Sequence, residues 1–290
     1  MNLFDRLLTE ALKNRHDLSP LKTVVEKELL HHDILRTLSQ SSLLTNLTFI
    51  GGTCLRICYG GIRLSEDLDF TGGENFSRNS LSTMGDLLID DLNKKYGLKV
   101  SVSQPVKESK NVDTWKVKID TRPKQKARPA QRINIDICAV PSYEKQPMML
   151  LNPYGVDMGT SGLVLQAQSR EEIYVDKLLA FALRPNRVKY RDLWDMIWLH
   201  GQGLKPRFGL IPNKLQDRKL TQKYFWDLFS QRFRLLSEDS SLKSEFEREM
   251  LRFLPLKEIN KIAAQDDLWS FVVFLIGESG KEIRKNLSNM

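Results

Sequence analysis

Apolar residues recur every three or four positions near the start of the chain and predict helices over residues 5–45. A short apolar run at 47–50 predicts a strand that ends at two glycines, and a short helix is predicted over 53–59. Alternating apolar and polar residues predict a strand over 63–70, after which helical spacing returns over 80–96.

Strands are next predicted over 98–102, 114–120 and 132–139, where apolar side chains occupy every second position. From residue 171 the pattern becomes helical, with amphipathic helices over 171–183 and 189–200. The chain beyond 213 also reads as mostly helical. This change from strands to helices predicts a core over 1–165 and a helical domain over 166–290.

Composition narrows the class of protein. The chain has 290 residues, of which 41% are hydrophobic and 28% are charged, as in an ordinary globular protein with a sizeable core. Apolar runs stay far below the ~18 residues that a membrane span needs, and the first residues lack a signal-peptide pattern. Three cysteines without a CxxC pair argue against a disulfide framework. We therefore expect a cytoplasmic protein that does not enter a membrane.

The positive charge is concentrated in one segment. The whole chain carries +8, whereas residues 94–132 hold twelve Lys and Arg against three acids, a net +9. Within it, RPKQKARPAQR at 122–132 has two prolines and no acid, which predicts a protruding loop. Such a segment is either a solvated loop or a contact surface for a polyanion. The candidate nucleic-acid contacts are Arg122, Lys124, Lys126, Arg128 and Arg132.

The most informative stretch is Ser65-Glu66-Asp67-Leu68-Asp69-Phe70. In a strand, Asp67 and Asp69 point to the same face, because side chains alternate. Two adjacent carboxylates repel unless a cation lies between them, and hard oxygen ligands suit Mg²⁺. The alternative is an exposed polar strand face without a metal.

Two neighbouring features favour the metal interpretation. Gly51, Gly52 and Thr53 join the strand over 47–50 to a helix, so backbone N–H groups are available to a phosphate. Asp136 is an acid inside an isoleucine-rich strand, on the face opposite the isoleucines, where it could be the third metal ligand. The alternative for Asp136 is a simple sheet-surface aspartate.

The stretch IGGTCLRICYGGIRLSEDLDF resembles the signature of DNA polymerase β-type nucleotidyltransferases, and in particular that of the AbiEii/AbiGii toxin family, which includes the MenT toxins. A second block, Asp176-Lys177-Leu178-Leu179-Ala180 followed by Arg191-Asp192-Leu193-Trp194-Asp195, is similar to that family's K…RDxxD block. The likeness covers about residues 20–200. It implies an α+β fold, with a polymerase β-like, mixed-sheet core and a helical C-terminal domain that completes the active site.

The resemblance also implies site residues and partners. Asp67, Asp69 and Asp136 would bind Mg²⁺ or Mn²⁺, and Lys177 would contact the triphosphate of an NTP substrate. Asp192 corresponds to an essential acid. The residues that would hold the NTP are Gly51, Gly52, Thr53, Arg63, Ser65 and Lys177. From the residues alone, Lys177 could equally pair with Asp176 or Glu172.

The function expected from this resemblance is transfer of a nucleoside monophosphate from an NTP to an acceptor hydroxyl, with release of pyrophosphate. A tRNA 3′ end is the leading acceptor, and blocking it would stop translation and growth. An antitoxin encoded nearby is implied by the resemblance only. Two alternatives remain open: a nucleotidyltransferase that acts on a protein or small molecule, and a non-catalytic nucleic-acid-binding module.

Overall fold

The computed structural model describes residues 2–105, 112–122, 129–185, 187–263 and 268–288. The chain divides into two compact units, Met1–Gln168 and Ser169–Met290. Among the described residues, every strand belongs to the first unit, and the second unit is helical. No described helix is both long enough and apolar enough to cross a membrane.

A seven-stranded sheet forms the centre of the first unit. Its strands are β1 (Thr48–Ile50), β2 (Leu68–Thr71), β3 (Lys99–Ser103), β4 (Val112–Asp120), β5 (Gln131–Cys138), β6 (Lys145–Met149) and β7 (Val164–Gln168). They lie in the order β3-β4-β5-β2-β1-β7-β6. The pairs β2–β5 and β1–β7 are parallel and the others antiparallel. The predicted α+β fold with a mixed sheet is thus confirmed.

Four α-helices accompany this sheet among the described residues. They are α1 (Leu3–Asn14), α2 (Lys22–Gln40), α3 (Gly51–Tyr59) and α4 (Met84–Tyr96). The helix α4 ends at Gly97, whose φ of 64° is the left-handed conformation that glycine adopts without steric cost. The continuous helical pattern predicted over 5–45 is interrupted in the structure by a 3₁₀ segment, His16–Leu21, which contains Pro20.

One face of the sheet is packed against helices. On β4, Trp115, Val117 and Ile119 are buried and alternate with polar residues, as the sequence pattern predicts. The helix α4 lies on this face, because the Cβ position of Gly85 is 3.6 Å from Val102 of β3. Each fully buried large apolar side chain contributes about 1.5–3 kcal/mol to folding.

The predicted strand over 63–70 is wrong at its start, because β2 begins only at Leu68. The residues before it satisfy their backbone groups with side chains instead of a strand ladder. Arg56 donates to the carbonyl of Gly61, and the N–H of Ser65 donates to Glu28. Local side-chain partners of this kind compete with sheet formation.

The second unit is built from seven described helices. They are α5 (Arg170–Leu183), α6 (Tyr190–Gly201), α7 (Ile211–Asp217), α8 (Gln222–Glu238), α9 (Ser241–Met250), α10 (Leu256–Ala263) and α11 (Leu268–Ser288). Ser169 caps α5 by accepting a hydrogen bond from the N–H of Glu172 at 3.1 Å. Aromatic contacts such as Phe181 with Phe229, 5.5 Å between ring centroids, form its core.

Acidification is expected to destabilise the first unit through a buried histidine of α2. Burial lowers the pKa of His32 to about 4, and its ring lies 3.0 Å from the hydroxyl of Thr160. Because the pKa is lower when folded, stability present above pH ~6.5 is lost as the pH falls towards 4. Between pH 7 and pH 4, we expect the free energy of unfolding of His32→Gln to fall by about 3 kcal/mol less than that of the wild-type protein. Denaturant titrations at the two pH values measure this difference. An equal pH dependence in both proteins would contradict this.

Candidate active site

The glycine turn lies directly against Asp69. The helix α3 starts at Gly51, immediately after β1, and Ile50 lies opposite Asp69 in the sheet. Gly51 has a φ of 77°, and a Cβ there would lie 2.8 Å from Oδ2 of Asp69. Both its conformation and the close approach of this carboxylate therefore require glycine. The first turn of α3, whose backbone N–H groups have no partner within the helix, therefore begins next to Asp69.

Two hydroxyl groups connect this turn to the segment that carries Asp67. Thr53 is fully buried, its Oγ1 lies 2.6 Å from Oγ of Ser65, and it donates a hydrogen bond to the carbonyl of Asp67. Gly52 is also buried. Arg63 is buried and donates to the carbonyl of Leu64 at 2.8 Å. The structure therefore brings Thr53 and Ser65, two of the predicted phosphate-binding residues, close to Asp67.

Two of the three candidate metal-binding carboxylates lie side by side on the sheet, and the third precedes β2. Asp69 of β2 and Asp136 of β5 are direct partners in the parallel ladder. Asp136 accepts a hydrogen bond from the Thr114 hydroxyl at 2.6 Å. Asp67 accepts one from the N–H of Asn134 at 3.1 Å. All three aspartates are half-buried.

These residues fit one kind of metal site. Among the described residues, no three Asp, Glu, His or Cys side chains form a complete cage for an ion. Asp69 and Asp136 nevertheless offer hard oxygen donors from adjacent strands, and the anchoring bond of Asp67 uses one carboxylate oxygen. A Mg²⁺ ion that keeps several waters and shares its ligands with substrate phosphates needs only one or two such carboxylates.

The second unit holds the other two predicted catalytic residues in a buried ion-pair cluster. Lys177 of α5 lies 2.6 Å from Asp192 and 2.8 Å from Asp195, both on α6. Arg184 contacts Asp192 at 3.2 Å. Burial disfavours the charged form of Asp192, but Lys177, Lys189 and Arg184 outweigh it and hold the pKa of Asp192 below its ordinary value. Asp192 is therefore ionised at neutral pH.

The candidate nucleic-acid contacts differ in their surroundings. Arg122 forms an ion pair with Glu26 of α2, which is buried. Arg132 is exposed on β5. Lys124, Lys126 and Arg128 lie outside the described residues. Arg122 is thus engaged within the protein, whereas Arg132 faces solvent.

The family model of the nucleotidyl transferase AbiEii toxin, of type IV toxin–antitoxin systems, matches residues 33–273. The chain belongs to this family. The resemblance noted in the sequence is thereby confirmed, and the match extends well beyond the last motif recognised there. No curated protein matches the chain in a sequence comparison.

The solved structures that the chain resembles include two bacterial proteins. JHP933 from Helicobacter pylori has a TM-score of 0.46 and 19% identity, covering 92% of this chain and 94% of that one. MenT4, a nucleotidyltransferase toxin from Mycobacterium tuberculosis, has a TM-score of 0.47 and 18% identity, covering 79% of this chain and 72% of that one.

Sequence reasoning missed the residues that hold the Asp67 segment in place. Glu28 of α2 accepts from the N–H of Ser65 at 2.8 Å and also binds Arg56 at 3.0 Å. His31 bonds the carbonyl of Glu66 at 3.0 Å. The sequence did contain an indication of this role. Glu28 and His31 lie on the same face of α2 as Val24 and Leu35, and a helix face with that spacing normally carries apolar residues. Polar residues on a buried stripe must find partners.

Replacing Gly51 with alanine tests the close contact with Asp69. We expect a stability loss of about 1–2 kcal/mol, because the residue has a positive φ. Nucleotide transfer should fall by about a hundredfold, because the new methyl group displaces the Asp69 carboxylate. Gly97→Ala is the matched control, since Gly97 also has a positive φ but no atom within 4 Å of its Cβ position. Equal activity in the two variants would contradict this role for Gly51.

Proposed function

We propose that this AbiEii-family protein is a metal-dependent nucleotidyltransferase that modifies RNA. It transfers a nucleoside monophosphate from an NTP to an acceptor hydroxyl, for which we propose a tRNA 3′ end, and releases pyrophosphate. The observation that carries the proposal is the pairing of Asp69 with Asp136 beside the Gly51 turn. A phosphate-compatible turn and a metal-compatible carboxylate pair are what phosphoryl transfer requires at one place.

We assign the residues of the first unit as follows. Asp67, Asp69 and Asp136 would hold Mg²⁺ or Mn²⁺, which when bound stabilises charge on the phosphates and activates the hydroxyl. The backbone N–H groups of Gly52 and Thr53 would bind the triphosphate, as free groups at helix N-termini do. We further assign the Ser65 hydroxyl and the Arg63 guanidinium to the same phosphates.

The reaction is a displacement at the α-phosphorus. The acceptor oxygen forms a bond to that phosphorus, the bond from phosphorus to the bridging oxygen breaks, and pyrophosphate leaves. We propose that the hydroxyl gives up its proton to a carboxylate oxygen of Asp136 or Asp69, which are neighbours in the sheet. The chain's residues contribute chiefly position and charge, because phosphoryl transfer needs little other chemistry from a protein.

We propose that Lys177 contributes positive charge to the triphosphate and that Asp192 positions Lys177. The distance of 2.6 Å between them and the lowered pKa of Asp192 both support a positioning role. A carboxylate with a lowered pKa is a poor acceptor for the proton of a hydroxyl group. We therefore favour orientation of Lys177, and not acceptance of the proton from the attacking hydroxyl, as the role of Asp192.

Incubation with total RNA, Mg²⁺ and each of four labelled NTPs in turn tests the proposal. We expect at least one of the four NTPs to label RNA of tRNA size. We expect no labelled RNA with the Asp67→Asn variant. Label in protein instead would favour the alternative acceptor. RNA binding that is unchanged in Asp67→Ala, without transfer by the wild type, would favour a binding module.

Toxicity is tested separately in growing bacteria. We propose that induced expression of the wild-type chain arrests growth, whereas Asp67→Asn does not, and that a neighbouring antitoxin gene relieves the arrest. Arrest by both proteins would separate toxicity from nucleotide transfer.

A further inference from the structure

The sheet face that points away from α2 and α4 carries exposed basic side chains. On β4, Lys116 and Lys118 are exposed and alternate with the buried residues of that strand. On the buried face, Gln131 of β5 donates a hydrogen bond to Glu26 of α2. The lysines therefore point away from α2 and α4, on the same face as Asp136.

The strand register places these basic residues in cross-strand pairs that follow one another along β4 and β5 towards Asp136. Lys118 lies opposite Arg132 of β5, and Lys116 lies opposite Asn134. The next pair along the strands is Thr114 with Asp136. Because alternate residues of a strand are about 7 Å apart, Lys116 is one such step from the carboxylate row and Lys118 is two steps, about 14 Å.

The basic side chains on this face form no ion pair with the described residues. Neither Lys116, Lys118 nor Arg132 reaches a carboxylate of any other described residue, whereas Arg122 is paired with Glu26. Lys118 and Arg132 are like charges directly opposite each other, an arrangement that destabilises a sheet. An anionic ligand over both side chains would relieve this repulsion.

The neighbouring side chains indicate how such a ligand would be held. The partners on β3 are small, with Ser103 opposite Lys116 and Ser101 opposite Lys118, and both are exposed. Between Lys99 and Ser103, and at the outward positions of β4 and β5, this face has no described aromatic side chain on which a base could stack. The face is therefore suited to phosphates and not to reading bases.

We propose that Lys116, Lys118 and Arg132 bind successive phosphates of the RNA acceptor strand, with its terminal hydroxyl at the row of Asp69 and Asp136. This inference rests on the proposed function. An acidic protein segment is the competing occupant, and the RNA strand is favoured because the basic rows end at the carboxylates that would process its terminal hydroxyl. The binding should be salt-dependent and tolerant of sequence.

The test compares two double variants of the full chain, each losing two positive charges. Lys116→Gln/Lys118→Gln changes the basic face, and Lys22→Gln/Lys94→Gln changes exposed lysines on α2 and α4. Both are made in an Asp67→Asn background, and binding of labelled tRNA is measured over about 50–200 mM salt. We expect the first variant to bind about tenfold more weakly, with a salt slope smaller by about 1.4. The control should match its parent.

The outcomes separate this inference from the proposed function. If both double variants bind tRNA with the same affinity and the same salt dependence, the proposed role of Lys116 and Lys118 is wrong, even if the wild-type protein modifies RNA. Loss of tRNA binding only in the first variant would support it, even if wild-type protein transfers no nucleotide. Poly-glutamate binding that is lost in the first variant, with tRNA binding unchanged, would assign the face to an acidic protein. In the active background, we expect a raised KM for RNA with kcat unchanged.

Discussion

Asp67→Asn and Asp69→Asn are each expected to lower nucleotide transfer by about a thousandfold, equivalent to about 4 kcal/mol of activation free energy. Asparagine keeps the shape of the side chain, and at position 67 it can still accept the hydrogen bond from Asn134. It lacks the negative charge that a divalent ion needs from its ligands. The loss should therefore come from metal binding and not from a change in fold.

The stability of these variants should move in the opposite direction from their activity. Without metal, neutralising one member of a carboxylate cluster relieves repulsion and should leave the free energy of unfolding unchanged or raise it by about 1 kcal/mol. Added Mg²⁺ should stabilise the wild-type protein and should stabilise neither variant, because a ligand that binds only the folded state adds to its stability. Denaturant titrations with and without Mg²⁺ measure both effects.

Asp90→Asn is the matched control for these substitutions, since Asp90 is exposed on α4. It should keep wild-type transfer and the wild-type response to Mg²⁺. A loss of transfer in Asp67→Asn with an unchanged Mg²⁺ response would remove this residue from the metal site. Full transfer by both the Asp67 and Asp69 variants would contradict the proposed reaction.

The sequence predicted the carboxylate pair because its signal is local. The alternation of residues on β5 predicted that Asp136 points to the face away from the isoleucines. Asp69, its partner on β2, lies on the same face of the sheet as Asp136. The same rule failed for Asp67, which precedes the strand and is aligned by Asn134 and Thr53. Those partners are 67 and 14 residues away from Asp67 in the sequence. The alternation of apolar and polar residues around Asp67 therefore gives no indication of them.

Two strands were also missed. The edge strand β6 contains Pro147 and is mostly exposed, so it lacks the apolar alternation that marks a strand. In β7, Gln168 is buried although it is polar. Their positions follow from pairing with each other and with β1, which are contacts made only in the folded sheet.

Lys177→Met is expected to lower the free energy of unfolding of the second unit by about 3–5 kcal/mol and to abolish transfer. Lys177, Asp192 and Asp195 are each at least nine-tenths buried as side chains. Removing the lysine leaves two buried carboxylates with less compensation, which costs far more than an exposed pair would. Loss of activity in this variant alone would not separate misfolding from a missing catalytic charge.

The triple variant Lys177→Met/Asp192→Asn/Asp195→Asn separates the two effects. With no buried charge left uncompensated among these three, we expect most of the stability to return. Transfer should stay absent, because the cation proposed to contact the triphosphate is still missing. Restored transfer in this stable protein would show that Lys177 serves only to balance the two aspartates.

A second buried lysine supplies the matched control. Lys214 of α7 lies 2.6 Å from Glu172, and both side chains are almost completely buried. Lys214→Met should destabilise the unit by a similar amount, and Lys214→Met/Glu172→Gln should recover stability. Because we assign Lys214 no contact with substrate, this rescued protein should also recover transfer, measured at a temperature where both rescued variants are folded. If it does not, the loss in the Lys177 series reflects disturbed packing of the helical unit and not the proposed contact with the triphosphate.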